Sequence, residues 1–408
     1  MTFEYFVANK IRHLGQRSFT RVIMRLAFIS IIISVAVMIA SDAIGVGFQT
    51  EIKNKITGFS SHIQVSKTKT NFALENDSIP INLAFEKKVM ALPGVNHIQY
   101  YATKPGIIKT GGEIEGVIMK GVDKNYDWDN FKPSMVEGPI LDLSSPTPTP
   151  DVLISRVMAN KLNLKLHDTI LTFFFPKTHS VPLARNFIIS GIYETDVDEI
   201  DNSFMLADLR QIRSLNKWDK NSIGGYEIFM NNLKTVDTTN KIIRGMIPVD
   251  QETLTIHERF TQIFDWLDLM NMNVTIILTL MTLVASINMI TALLIMILER
   301  TQMIGILKTL GAANGEVRRI FVLNAMRIIG LGIFYGNVFA FAVLLLQKNF
   351  HIIRLAKESY YLSEVPVYFD WTHIIAINAG AFILCSLSMF LPSLLASRIT
   401  PVKALRFE

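Results

Sequence analysis

Asn271, Thr275, Thr279, Thr282 and Ser286 recur along a stretch, Leu269–Leu298, that holds no charged residue. On a helix they fall within roughly 80° of one another. Such a stripe offers no ionisable group for a proton relay. It either packs one helix closely against another, with each hydroxyl bonded back to its own helix, or forms a mildly polar wall for an amphiphile. Asn288 and Thr291 lie on the opposite face, which gives this helix protein on two sides. Asp42 is the one acid inside an apolar stretch, and its place near the far end reads as a solvated helix-end carboxylate rather than a proton carrier.

Other chemistry is missing from the sequence. No GxxxxGK[ST] occurs, and Gly311 and Gly315 are followed by Glu316-Val317, which is wrong for cradling phosphate. The eight histidines are scattered, without HExxH, so no metal centre is expected. There is no GxSxG. No catalytic residue and no metal ligand is assigned.

The elements that position these residues are apolar. The chain has 408 residues, half of them hydrophobic and 18% charged, with mean hydropathy +0.33. A bilayer core of roughly 30 Å needs about 20 apolar residues. Four stretches qualify: Leu26–Phe48, Leu269–Leu298, Ile320–Gln347, interrupted only by Arg327, and Ile374–Ser397, with Pro392 near its end. Leu26–Phe48 reads as a span rather than a signal peptide, since 25 residues precede it and no small-residue cleavage site follows.

Charge sets the orientation. Met1–Arg25, the segment Glu299–Arg327 and the tail together carry thirteen basic against four acidic side chains, net +9. The loop Lys348–Asp370 balances three against three. Both ends and the middle segment are therefore expected in the cytoplasm. The chain's pI near 9.1 reflects this flanking charge and does not indicate nucleic acid. Gln49–Trp266 is close to neutral, with 24 basic and 26 acidic residues, and contains no cysteine. The only cysteine, Cys385, lies in the last span. A segment of this size buries its own core and needs no disulfide.

The expected fold is an α-helical membrane protein with four transmembrane helices plus a large extracytoplasmic α+β domain inserted between the first and second helices. Residues 1–25 form a cytoplasmic amphipathic helix, with Phe3, Phe6, Val7, Lys10 and Leu14 at helical spacing. The four spans are 26–48, 267–298, 320–347 and 371–397. Residues 49–266 form the external domain, 299–319 a cytoplasmic coupling segment, 348–370 an external loop and 398–408 a cytoplasmic tail.

Phe48, Ile52, Ile56 and Phe59 continue the first span outward as one apolar stripe. Ile256, Phe260, Ile263, Phe264 and Leu267 approach the second span in the same way, so the two make a stalk. Within the domain, His62–Ser66, Gly116–Gly121, Thr169–Phe175 and Phe187–Tyr193 read as strands. Phe85–Leu92 and Ser155–Leu162 read as helices, and Ser144–Pro150 as a loop that divides two subdomains. Between the last two strands, Pro176 and Pro182 block ladder pairing at the tip of a hairpin, which is either an ordinary exposed turn or a docking element.

The segment "ERTQMIGILKTLGAANGEVRRIF" leaves the apolar environment for about twenty residues and returns. Ile304, Leu307 and Leu310 recur every three residues, one apolar edge on a short helix. Gly311 stands where a helix end needs positive φ. Asn314 is placed to cap the next helix, with Glu316 in its first turn. An apolar edge clamped between two spans suits a groove on a motor protein.

These residues resemble a family. "ERTQMIGILKTLGA" is similar to the cytoplasmic loop signature of FtsX-like ABC permeases, the MacB/LolC/LolE group, and "SRITPVKALRFE" to their C-terminal ending. "GFQTEIKNKITGFSSHIQV", "GIYETDVDEIDNSFMLADLRQI" and "YYLSEVPVYFDW" resemble the lipoprotein-releasing LolC/LolE branch. Two stretches depart from it: "AIGVGF" replaces an expected Asn-Gly-Phe, and "ETDVDEIDN" lacks the expected Thr-Gly.

The resemblance implies a non-catalytic inner-membrane permease subunit. It would pair with a second permease, either a copy or a paralogue, and with two copies of a cytoplasmic ABC ATPase that binds the ATP and Mg²⁺; this chain would bind no cofactor. The complex would lift lipidated proteins from the membrane and pass them to a periplasmic lipoprotein chaperone. Carried over, Glu299, Arg300, Ile304, Leu307, Lys308, Leu310, Gly311 and Ala312 form the ATPase-coupling segment. Phe48, Ile52, Phe260, Phe264, Leu267, Met270, Thr275 and Thr279 line the lipoprotein cavity. Phe175, Pro176, Pro182 and Arg185 mark the chaperone-docking loop. The alternative is a mechanotransmission permease of MacB or FtsX type that drives efflux or activates a cell-wall hydrolase. A membrane-anchored receptor would leave the apolar edge of the coupling helix without a purpose.

Overall fold

The structure, a computed structural model, describes residues 18–68, 75–176, 181–355, 360, 362–390 and 392–393. The amphipathic helix expected over 1–25 falls largely, and the tail 398–408 wholly, outside them. Among the described residues, four helices are long and apolar enough to cross a membrane. The first is Ser18–Phe59, the second Thr261–Glu299, the third Asn314–Phe350 and the fourth Trp371–Ser388. At 1.5 Å per residue the fourth reaches about 27 Å, and the other three about 55–63 Å. Those three outrun the hydrocarbon layer. Asp370 starts the fourth, its Oδ1 accepting the Thr372 N–H at 2.9 Å.

The chain divides into a helical unit, drawn from Met1–Thr50, Trp266–Leu355 and Glu364–Glu408, and a sheet unit, drawn from Glu51–Asp265 and Ala356–Ser363.

In the helical unit, Ile31, Val35 and Ile39 of the first helix pack with Met289, Leu293 and Ile297 of the second and Phe321, Ala325 and Ile329 of the third. Ile374, Ala381 and Cys385 add the fourth. Two glycines set the closest approach. A Cβ on Gly332 would stand 2.7 Å from Ile31 Cγ2, and one on Gly336 would stand 2.9 Å from Val35 Cβ and 3.1 Å from the Ile32 carbonyl oxygen. Small residues four apart let two membrane helices meet this closely, gaining dispersion contacts where lipid offers no hydrophobic drive.

The sheet unit is α+β. Its described strands are β1 Ile63–Lys67, β2 Ile79–Pro80, β3 Val95–Thr110, β4 Glu113–Val122, β5 Met135–Glu137, β6 Asp151–Ser155, β7 Thr169–Phe174, β8 Leu183–Tyr193, β9 Phe204–Asp208, β10 Ser222–Ile223, β11 Gly225–Met230 and β12 Gln251–Thr255. Ten form one sheet in the order β12-β1-β11-β3-β4-β9-β6-β8-β5, with β7 paired to both β3 and β8. β4–β9 and β6–β8 are parallel and the other pairs antiparallel. Helices Leu83–Met90, Leu209–Asn216 and Val236–Arg244 bury Val89, Ile212 and Ile243 in the sheet's core.

Ser144–Pro150 joins β5 to β6 inside this one sheet, whose order interleaves strands from either side of the loop. It does not divide subdomains. The approach to the second helix is also interrupted: a separate turn, Ile256–Arg259, is capped by Thr255 and Glu258, and the long helix starts only at Thr261. The first helix runs unbroken to Phe59.

The motif that lacks the expected Thr-Gly has a local solution. Asp196 takes φ +58°, the left-handed region where glycine is at ease and aspartate is tolerated. Its carboxylate pairs with Lys55. Asp201, buried, accepts the Thr195 and Asp196 N–H groups at 3.0 Å and locks the turn.

Candidate functional site

The segment between the second and third helices folds into the short helix Thr301–Thr309. Gly311 takes φ +98°. Its N–H donates to the Lys308 carbonyl at 3.1 Å, and the Ala312 N–H donates to the Leu307 carbonyl at 3.0 Å. Together these bonds form a Schellman ending that satisfies the last carbonyls of the helix. The next helix is capped differently from the sequence expectation. Asn314 is its first helical residue, and the Glu316 carboxylate reaches back to the Ala313 N–H at 2.9 Å.

The expected apolar edge divides. Ile304 is fully buried in the helical unit's core and Leu307 is half-buried, so these two anchor the helix. Leu310 is 80% exposed, and Ile306, not singled out by the three-residue spacing, is 52% exposed. Glu299, Arg300 and Lys308 are half-buried, and burial lowers the Lys308 pKa. The apolar surface this segment exposes is that of Ile306 and Leu310, between the buried Ile304 and the glycine turn.

The residues expected along a cavity fall in both units. In the helical unit, Phe48 is buried with its ring edge-on to Trp266 at 6.3 Å, Leu267 is buried and Met270 half-buried. Thr275 and Thr279 are exposed, their hydroxyls donating to the Asn271 and Thr275 carbonyls at 3.0 and 2.8 Å. In the sheet unit, Ile52, Phe260 and Phe264 are buried, with Phe264 edge-on to His257 at 4.4 Å. Five of the eight are thus packing residues of this chain, and Met270, Thr275 and Thr279 remain for an open surface.

The polar stripe on the second helix divides as well. Thr282 donates to the Leu278 carbonyl at 2.8 Å and sits 3.4 Å from Met38 Sδ, while Ser286 lies 3.8 Å from Cys385 Sγ. On the opposite face, Asn288 bonds Ser30. No residue from Asp268 to Val284 is buried, whereas Ala285, Met289, Ala292, Leu293 and Met296 are. One half of this helix packs within the chain; the other half presents hydroxyls whose donors are already used.

The hairpin ladder ends at Phe174↔Leu183, just inside the two prolines. Phe174 is buried edge-on to Phe187 at 6.2 Å. Phe175 and Val181 are 53% and 72% exposed, Pro176 half-buried, Pro182 exposed, and Arg185 exposed with a bond to the Ala184 carbonyl at 3.4 Å. Phe175 and Val181 therefore present apolar surface beyond the last pair; residues 177–180, between them, lie outside the described residues.

Asp42 differs from the solvated carboxylate expected. It is buried, 3.2 Å from His373 Nδ1 at the start of the fourth helix, and the neighbouring Ala43 carbonyl accepts the Tyr368 N–H at 3.1 Å. The pair joins two spans.

Sequence reasoning placed Phe59 on the stalk stripe but passed over what receives it at the end of the first helix. Lys120, wholly buried, donates to the Phe59 carbonyl at 2.8 Å, while Phe59 packs against Phe204, Phe131 and Tyr193 with ring centroids 5.1–6.4 Å away. A lysine inside a predicted strand gave no signal of this. Among the described residues no group of histidine, cysteine and carboxylate side chains could hold a metal.

Comparison with known proteins accounts for nearly the whole chain. The MacB-like periplasmic core domain family matches residues 25–243, and the FtsX-like permease C-terminal family matches residues 275–401. The chain is 24% identical over 96% of its length to the "Lipoprotein-releasing system transmembrane protein LolC" of Buchnera aphidicola subsp. Schizaphis graminum, covering 95% of that protein. It is 24% identical over 98% of its length to the LolC of Neisseria meningitidis serogroup B, covering 97% of it. The extracellular domain of the ABC-type transporter YknZ from Gram-positive bacteria overlays 47% of this chain and 99% of its own, at 14% identity and a TM-score of 0.33. The chain belongs to the FtsX-like permeases with a MacB-like periplasmic core domain, and its relatives along nearly the whole length include LolC and LolE proteins.

Proposed function

We propose that this chain is the membrane subunit of an ATP-driven machine that extracts lipoproteins from the inner membrane and delivers them to a periplasmic chaperone. Similarity to LolC proteins from end to end carries the reading. Removing acyl chains from a bilayer costs about 0.8 kcal/mol per CH₂, so a lipidated anchor does not leave unaided. The chain needs no chemistry of its own for this. It needs a contact for a motor and a way to transmit movement, and Ile306 and Leu310 on the coupling helix supply the contact.

In this reading both termini and the coupling helix face the cytoplasm, two copies of an ABC ATPase dock there, and a second permease completes the membrane part. The hairpin tip at Phe175 and Val181 receives the chaperone. Depletion of the protein in its host should leave lipoproteins in the inner membrane. Unchanged delivery to the outer membrane would refute the proposal.

A second reading, mechanotransmission without lipid cargo, is favoured by one observation. The chain is also 20% identical over 93% of its length to the "Macrolide export ATP-binding/permease protein MacB" of Bartonella henselae, covering 56% of that protein. Affinity purification with mass spectrometry separates the two: acylated peptides support the first reading, and an outer-membrane channel or hydrolase without them supports the second.

A further inference from the structure

The third and fourth helices leave between them a groove of about 600 Å³ within the helical unit. Arg318 and Arg319, in the first turns of the third helix, stand at one end. The Arg318 guanidinium lies 3.9 Å above the Phe390 ring, a stacking contact that holds it at the groove mouth. Glu316, the nearest acid in sequence, is turned away onto the Ala313 N–H. From the arginines the groove follows Val322 and Met326 on one wall and Leu387 and Phe382 on the other. Arg318 to Met326 is eight residues of helix, about 12 Å.

The groove is thus cationic at one end and apolar along its length. A free phosphate would use only the end, and an uncharged chain only the walls. The outward faces beside it are apolar too, with Leu331, Phe334, Ile375 and Leu384 exposed, as suits helices whose neighbours are lipids. We infer that this groove binds one anionic phospholipid, its phosphate on Arg318 and Arg319 and an acyl chain along Val322, Met326, Phe382 and Leu387. The inference does not depend on the transported cargo. It gives the permease a structural lipid close to the helix that meets the motor.

The test uses the full chain, purified in detergent, stripped of lipid and offered equal amounts of phosphatidylglycerol and phosphatidylcholine with identical acyl chains. Native mass spectrometry counts what is retained. One phosphatidylglycerol should be kept in preference. Arg318→Gln and Arg319→Gln should each lower that preference about fivefold, the worth of one basic residue near an anionic lipid. Leu387→Trp fills the groove while leaving both charges, and should abolish retention; Arg354→Gln, in a loop, should not. Variants are compared only where their gel-filtration profile matches the parent, and either Arg319→Gln or Leu387→Trp decides the matter if Arg318→Gln misfolds. Equal retention of both lipids, unchanged preference in the arginine variants, or full displacement by inorganic phosphate would each overturn the inference.

Discussion

Lys120 Nζ sits 2.8 Å from Glu227 Oε1 and 2.8 Å from the Phe59 carbonyl oxygen, in the interior of the sheet unit. Gln64 and Gln99 donate to the two Glu227 oxygens at 2.9 and 2.8 Å, so the carboxylate is fully engaged. Burial pulls the lysine pKa down, while Glu227 beside it favours the charged form. Taking one partner from such a pair strands the other in a low dielectric, at about 3–5 kcal/mol. Lys120→Met should therefore lower the denaturation midpoint of the full chain sharply. Adding Glu227→Gln should recover part of the loss, and a double-mutant cycle in chemical denaturation measures the coupling.

Gly336 carries the contact between the first and third helices. Gly336→Leu must push Val35 and the Ile32 backbone aside. Overpacking of this kind costs about 1–3 kcal/mol. Thermal unfolding in detergent should show the loss, and Gly330→Leu, where a Cβ meets nothing within 4 Å, should not.

The short helix Thr301–Thr309 and the turn after it yield opposite outcomes at neighbouring positions if they meet a motor. Leu310→Glu and Ile306→Glu place charge on exposed sites and should abolish co-purification of an ATPase while leaving the purified chain as stable as the parent. Ile304→Glu buries a charge in the core and should reduce the yield of folded protein instead. Retained ATPase with both exposed variants would remove this helix from the coupling role.

His62 makes the sheet unit sensitive to acid. Its Nδ1 accepts the Met230 N–H at 3.2 Å, which requires an unprotonated nitrogen. Burial, reinforced by the nearby His257, lowers its pKa to about 4. The unfolded chain protonates near 6.5. Above that value neither state gains a proton; below it the unfolded state does so first, and stability falls as pH drops from about 6.5 to about 4, by at most ~1.4 kcal/mol per unit. Melting curves of the full chain at pH 7 and 5 should differ, and His62→Gln should narrow the difference.

At the hairpin tip, Phe175→Asp with Val181→Asp should leave the fold intact, since both residues are exposed beyond the last ladder pair. Recruitment of a periplasmic chaperone in a pull-down should be lost. Full recruitment would reduce the tip to an ordinary turn.

The sequence foretells these elements unevenly, for physical reasons. Gly311 is legible because positive φ at a helix end has few solutions. The four sequence-read strands match strands of the structure and overrun them only at His62 and Phe175, but β3 is hidden: its sixteen residues contain Pro105-Gly106, a pair that reads as a turn. The structure puts Pro105 where the pairing changes from β11, ending at Tyr101, to β7, starting at Gly106. The burial of Ile304 was not legible, since spacing identifies an apolar face but not the neighbour that covers it. Gly332 and Gly336 carry a packing signal in their spacing, yet only the structure names Ile31 and Val35 as their seat. Lys120 and Glu227 lie 107 positions apart and meet only because β3 brings β4 and β11 into one sheet.

From Asp268 to Val284 no residue of the second helix is buried; Asn271 reaches Gln49, Leu278 and Met281 lean on the helical core and Thr282 meets Met38, which leaves Thr275 and Thr279 with exposed side chains. Substitutions at Thr275 or Thr279 would then be tolerated or rejected according to the companion molecule present, whereas Ala285, Met289, Ala292, Leu293, Met296 and Ile297 answer to the packing of this polypeptide. A transplanted permease would accordingly fail first at those two threonines, while still folding normally.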